Sequence, residues 1–129
     1  MADLKRSSKD LVSEAKAQIE NLTPEQLERE LQRGAVLVDL RDASERRQQG
    51  VIPGAVHVNR GMLEFHADPS TTYHNPALDP ERRVILHCAA GGRSALAAKT
   101  LKDMGYRDVA HLEGGITAWK EQGKPVEEP

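Results

Sequence analysis

Arg83-Val84-Ile85-Leu86-His87 runs directly into Cys88-Ala89-Ala90-Gly91-Gly92-Arg93-Ser94, and this stretch decides the fold. The first segment, with Val, Ile and Leu in succession, reads as a strand buried on both faces, the pattern of a parallel sheet. Residues 94–104 have the Ala, Leu and Lys content of a good helix. Cys88 therefore stands where a parallel strand hands over to a helix through a glycine-containing turn.

The same rhythm extends in both directions. Downstream, 109–112 reads as a strand, Gly114-Gly115 as a turn, and 116–122 as a closing helix stopped by Gly123 and Pro125. Upstream, Thr23-Pro24-Glu25-Gln26 combines an N-cap, a proline at the first helical position and a residue able to close a capping box, predicting a helix to about Gln32. Arg33-Gly34 ends it, and Ala35-Val36-Leu37-Val38 reads as a buried strand. Residues 43–49 look helical, Pro53-Gly54 turns the chain, and Ala55-Val56-His57-Val58 gives another short strand.

Two stretches lie outside this alternation. Leu11, Val12, Ala15 and Ile19 recur at helical spacing after Ser7 and Ser8, predicting an amphipathic helix over about 8–20. Residues 59–82 hold three of the seven prolines and read as an irregular connection with one turn of helix near Met62. The division expected is an N-terminal polar helical extension over 1–22, one domain over 23–125, and a C-terminal tail over 126–129. Alternating strands and helices predict an α/β fold with a central parallel sheet and helices on both faces. In such sheets sites form at the carboxyl ends of strands, which is where Cys88 falls.

Composition narrows the function. The 129 residues suffice for one domain that buries roughly two-thirds of its unfolded surface. With 18 Lys and Arg against 20 Asp and Glu, no excess of one sign points to nucleic acid or to anionic lipid. Aromatic content of 3% is too sparse for base-stacking platforms, so no nucleic-acid partner is expected. No apolar stretch approaches the roughly 18 residues of a membrane span, so no membrane partner is expected either. A single cysteine cannot form an internal disulfide, and a cytoplasmic location is expected for a chain that keeps it reduced.

The chemistry concentrates after Cys88. Gly91 and Gly92 let the backbone bend so that successive N–H groups point inward as an anion-binding nest, and the following helix adds the positive end of its dipole. A thiolate at the start of that loop, with Arg93 near it, is set up for nucleophilic attack. A lone cysteine is more often a small buried hydrophobe. That reading gives no reason for a glycine-rich nest and an arginine immediately after it.

At this point the chain resembles the rhodanese family, whose single-domain members carry Cys-x-x-Gly-x-Arg-Ser at the catalytic loop, matched by Cys88, Gly91, Arg93 and Ser94. Three more segments resemble the family in its order: Val38-Asp39-Leu40-Arg41 with Glu45; Gly50-Val51-Ile52-Pro53-Gly54-Ala55; and Leu112-Glu113-Gly114-Gly115-Ile116 with Ala118-Trp119. Val51 departs from the histidine common there. The resemblance implies a rhodanese-like fold and a thiosulfate sulfurtransferase. The Cys88 thiolate attacks the outer sulfur of a small anionic donor such as thiosulfate, a Cys88 persulfide remains, and a thiol, cyanide or a sulfur-accepting protein takes the sulfur. Ala89, Ala90, Gly91, Gly92, Arg93 and Ser94 would bind the donor, with Asp39 and Arg41 as supporting candidates, and no metal or organic cofactor is needed.

Loop length weighs against the nearest rival. Cysteine-dependent phosphatases place five residues between cysteine and arginine to surround a phosphate, and here there are four, Ala89 to Gly92. A second cysteine to resolve an oxidised or arsenylated intermediate is missing, which weakens an arsenate reductase reading. A non-catalytic or persulfide-carrying protein-binding module is the remaining alternative. Among the other polar residues, Asp39 and Arg41 suit a structural ion pair as well as substrate contact, and Glu45 suits capping or pairing with Arg41. Trp119 and the 114–115 glycines suit packing and turning. His66, Asp68 and His74 lack zinc spacing and read as solvated loop residues. His87, by strand alternation, is expected to face away from the thiol.

Overall fold

The computed structural model describes residues 3–129. Five strands, β1 (Glu20–Leu22), β2 (Val36–Asp39), β3 (Val56–His57), β4 (Arg83–His87) and β5 (Asp108–Leu112), form one parallel sheet in the order β1-β5-β4-β2-β3. Six helices connect them: α1 (Ser8–Gln18), α2 (Pro24–Gln32), α3 (Ala43–Gln49), α4 (Leu63–His66), α5 (Gly92–Met104) and α6 (Gly115–Glu121). The predicted α/β architecture, with a parallel sheet and helices on both faces, is the one observed.

Local chemistry explains the boundaries. α1, α2 and α3 each begin in a closed capping box, at Ser7 with Asp10, Thr23 with Gln26 and Asp42 with Glu45, so two orphan N–H groups are satisfied at each start. α5 ends at Gly105 with φ of 109°, a left-handed cap that favours glycine. The irregular connection contains a 3-10 turn over Arg60–Met62 followed by the short α4, as the expected helical turn near Met62 required.

The sheet's alternation splits the core into two layers. Val38, Val84 and Leu86 turn to one face with Leu63, Ala98 and Leu101. Leu37, Ile85 and Ala110 turn to the other with Leu27, Ile116 and Trp119. α1 packs beside α5 on the first face.

β1 is the element that the sequence reading did not contain. Glu20, Asn21 and Leu22 pair in parallel with Ala110, His111 and Leu112 of β5. Two of the three β1 side chains are exposed, so no alternating or apolar run announces an edge strand. Its consequence is positional, because it sets Asn21 directly beside His111. Among the described residues no helix is long and apolar enough to cross a membrane.

Candidate active site

Cys88 follows the last residue of β4, a central strand, and is only 1% exposed. The chain then loops through Ala89, Ala90 and Gly91 before α5 begins at Gly92. Gly91 takes φ of 105°, which other residues reach only with strain, and a Cβ there would stand 3.1 Å from the Gly114 nitrogen. The turn back toward the sulfur therefore needs glycine.

What turns the loop's amides inward is the start of α6. The N–H of Ile116 donates to the Cys88 carbonyl at 3.0 Å and that of Thr117 to the Ala89 carbonyl at 3.2 Å. Gly115 makes this approach possible, since an added Cβ would lie 2.4 to 2.5 Å from Ala89 and Cys88 backbone atoms. With its carbonyls held on α6, the loop presents N–H groups to the thiol. Gly91 N–H donates to Sγ at 3.2 Å and Ser94 N–H at 3.4 Å. The Gly114-Gly115 pair, expected to serve turning and packing, thus also shapes the cradle.

Ser94 is fully buried, and its Oγ lies 3.5 Å from Sγ and 2.8 Å from Nδ1 of His111. His111 Nε2 in turn lies 2.8 Å from Oδ1 of Asn21. Neither His111 nor Asn21 was singled out from sequence. The available signal was a histidine at the carboxyl end of a strand otherwise apolar toward its end, next to the loop strand in the sheet. Burial pushes the His111 imidazole down to about 4, so it is neutral at physiological pH.

Arg93, at the entrance of α5, is the nearby cation. Its guanidinium is 43% exposed and pairs with Glu45 through bonds of 2.8 and 2.7 Å. The bonds from Arg93 hold the Glu45 carboxyl below the usual carboxylate range. Glu45 was expected to cap or to pair with Arg41. It does cap α3, but its cationic partner is Arg93, not Arg41.

Asp39 and Arg41 form a buried ion pair, both 0% exposed, with Arg41 Nε and Nη2 on the two carboxylate oxygens at 2.9 and 2.8 Å. Arg46 adds a third bond at 3.0 Å, and Arg41 Nη2 also reaches the Gly50 carbonyl at 2.9 Å. Burial by itself would raise the Asp39 carboxyl, but the Arg41 bonds hold it below its ordinary value. Of the two readings open for this pair, the contacts are those of a structural ion pair behind the loop. His87 is buried, with Nδ1 3.1 Å from the Cys88 carbonyl and Nε2 3.7 Å from Asp39. It faces the ion pair, and its partner on Cys88 is the carbonyl.

Among the described residues no cluster of three or more His, Cys, Asp or Glu side chains could hold a metal ion. His66 and His74 bond backbone carbonyls of Tyr73 and Leu78, and Asp68 caps Ser70. The site as built can hold an anion against a sulfur nucleophile, using two backbone N–H groups and an arginine beside them.

Residues 23–122 match the rhodanese-like domain family. A sulfurtransferase of Allochromatium vinosum is 36% identical over 94 residues, covering 73% of this chain and 79% of its own. A solved structure from Rhodopseudomonas palustris, of unknown function and described as a possible tyrosine phosphatase, is 42% identical with a TM-score of 0.91 over 98% of both chains. The polysulfide-sulfur transferase homodimer of Wolinella succinogenes is 34% identical with a TM-score of 0.76, over 94% of this chain and 87% of its own.

Proposed function

The chain belongs to the rhodanese-like domain family, whose members similar to it include sulfurtransferases, and from that premise we propose that it moves a sulfane sulfur from thiosulfate or a similar donor through a Cys88 persulfide. The observation that carries this reading is the cradle around Cys88 Sγ. Two backbone N–H groups already point at the sulfur, in a loop whose carbonyls are tied to α6.

In the first half-reaction the Cys88 thiolate attacks the outer sulfur of thiosulfate. The new S–S bond forms as the old one breaks, and sulfite leaves with the bonding pair. The persulfide keeps one negative charge on its terminal sulfur, for which the loop N–H groups are the donors. In the second, an acceptor such as cyanide or a thiol attacks that terminal sulfur, and the Cys88 thiolate returns as leaving group. Arg93, once released from Glu45, orients the donor's sulfonate with its planar fork of N–H groups. Ala89, Ala90 and Gly92 keep the approach free of bulky side chains. Asp39 and Arg41 support the loop from behind.

A chain with one thiol and no disulfide partner is best suited to a reducing compartment, and we place it in the cytoplasm. The acceptor is a small thiol or cyanide, with a sulfur-accepting protein as the carrier form of the same chemistry.

The test is turnover of thiosulfate and cyanide to thiocyanate, alongside Cys88→Ser and intact mass after incubation with thiosulfate alone. Wild type should turn over and gain one sulfur, and the variant should do neither. An inert wild type with no mass gain from thiosulfate or polysulfide would overturn the reading. The phosphatase description of the Rhodopseudomonas relative gives the second reading its place. With four residues between Cys88 and Arg93 the ring is one short for a phosphoryl group, so aryl phosphate hydrolysis should be absent. Comparing thiosulfate, polysulfide and mercaptopyruvate then sets donor preference, with thiosulfate expected to exceed the carboxylate donor.

A further inference from the structure

The Ser94 hydroxyl lies between the reactive sulfur and a buried imidazole, and the direction of its proton is fixed one residue further out. Asn21 Nδ2 sits 3.0 Å from the Lys16 carbonyl and 3.1 Å from that of Ile19, two groups that only accept. Asn21 therefore turns Oδ1 toward His111, and His111 Nε2 carries the ring proton and donates it. Nδ1 is left as the acceptor, 2.8 Å from Ser94 Oγ. The hydroxyl proton goes to His111, and Ser94 turns a lone pair toward Sγ at 3.5 Å.

We propose that His111 is a positioning residue for Cys88: it draws the Ser94 hydroxyl proton away from the sulfur, so that the thiolate accepts from the backbone N–H groups of Gly91 and Ser94 without a hydroxyl donor. This deepens the sulfur-transfer reading and rests on it for the identity of the nucleophile. Each donor aimed at a thiolate stabilises the anion but weakens its attack, since nucleophilicity falls along with basicity. Withholding one donor leaves the thiolate with the two loop N–H groups and still reactive. The same orientation suits the persulfide, in which Sγ becomes a neutral bridging atom and the charge moves to the outer sulfur.

Apart from the Gly91 carbonyl, the other groups around these contacts do not accept from the hydroxyl. The Gly91 carbonyl, its remaining acceptor, is farther at 3.3 Å. Glu113 stands 4.0 Å from His111 Nε2 and pairs with Lys16, on the side away from Ser94. Arg93 is engaged by Glu45, and His87 meets the Cys88 carbonyl. His111 itself, wholly buried and neutral, remains an acceptor at Nδ1.

Alkylation by iodoacetamide, followed against pH, tests this on the intact chain, whose single cysteine makes the signal report on Cys88 alone. In His111→Leu the freed hydroxyl should turn to the thiolate. The midpoint of the rate–pH curve should then move down by about one pH unit, the worth of a hydrogen bond to a charged group. The plateau rate should fall about threefold. His111→Asn, with an amide oxygen near the place of Nδ1, should restore the wild-type curve. In a Ser94→Ala background, His111→Leu should move neither midpoint nor plateau. His111→Phe carries the same test if the leucine variant does not fold. A wild-type curve in the apolar variants, or an equal shift without the Ser94 hydroxyl, would overturn the proposal. Because alkylation needs no sulfur donor, a failed thiocyanate assay would sink the sulfur-transfer reading without changing this result.

Discussion

Glu45 grips the Arg93 guanidinium through two hydrogen bonds of 2.7 and 2.8 Å, so the cation beside the Cys88 loop is already paired before any donor arrives. On the proposed function, an anionic donor would have to compete with a carboxylate held 48 residues away in sequence, at the start of α3. Glu45→Gln removes the competing charge while its amide oxygen can still accept from the Asp42 N–H that closes the cap. Partly exposed pairs of this kind contribute up to about 1 kcal/mol. KM for thiosulfate should therefore fall by up to about fivefold with kcat little changed, whereas Arg93→Ala should raise KM. Steady-state kinetics of the two variants check this, and an unchanged KM in Glu45→Gln would show that the pair does not compete with the donor.

Gly115 and Gly34 both take positive φ, 58° and 88°, but only Gly115 is in a closely packed place. Gly34→Ala meets nothing within 4 Å and should cost about 1 kcal/mol of backbone strain. Gly115→Ala would drive a Cβ against Cys88 and Ala89 backbone atoms, costing about 3 kcal/mol or more and pulling the loop off α6. Denaturant unfolding should rank the two variants in that order, and only Gly115→Ala should lose turnover per folded molecule.

Stability should fall with acid earlier than the carboxylates alone dictate. His111 is pushed from 6.5 to about 4 by burial, so between those values the unfolded chain binds a proton that the folded chain refuses. Its contribution is fully present above 6.5 and is lost as pH falls toward about 4, on the order of 3 kcal/mol across the window. His87, also lowered by burial, acts with the same sign. Unfolding free energy measured from pH 7 to 4 should show this slope, and His111→Asn should flatten it in part.

Arg41→Met should destabilise the fold by about 3–5 kcal/mol, because it leaves the Asp39 carboxylate buried with Arg46 as its remaining guanidinium partner. Arg46→Met should cost less, since Arg41 keeps its two-pronged hold on Asp39. Equal losses in the two variants, read from urea unfolding, would mean that the pair does not carry the burial of Asp39.

Local patterns in the chain were enough to place most elements. The Val36 to Asp39 and Arg83 to His87 strands are short apolar runs between turn residues, and α2 declares itself through Thr23, Pro24 and Gln26. The candidate nucleophile was legible for the same reason, because strand, cysteine, glycines and arginine follow one another in a single segment. β1 was not, since an exposed edge strand of three residues carries no periodicity.

The sequence by itself determined the alternation that makes a parallel sheet, the carboxyl-end position of Cys88, and the glycines that let the loop after it turn. Those are properties of residues within a few positions of one another, where backbone sterics and hydrogen-bond geometry act directly. Tertiary structure alone decided who meets whom around the thiol: Glu45 on Arg93, α6 on the loop carbonyls, and Asn21 through His111 on Ser94. The partners in these contacts lie from 17 to 90 residues apart for the side chains named, and the pairing of β1 with β5 is what sets Asn21 beside His111. Side-chain hydrogen bonds need ångström placement, and that placement exists only once the sheet has assembled and the core has packed behind it.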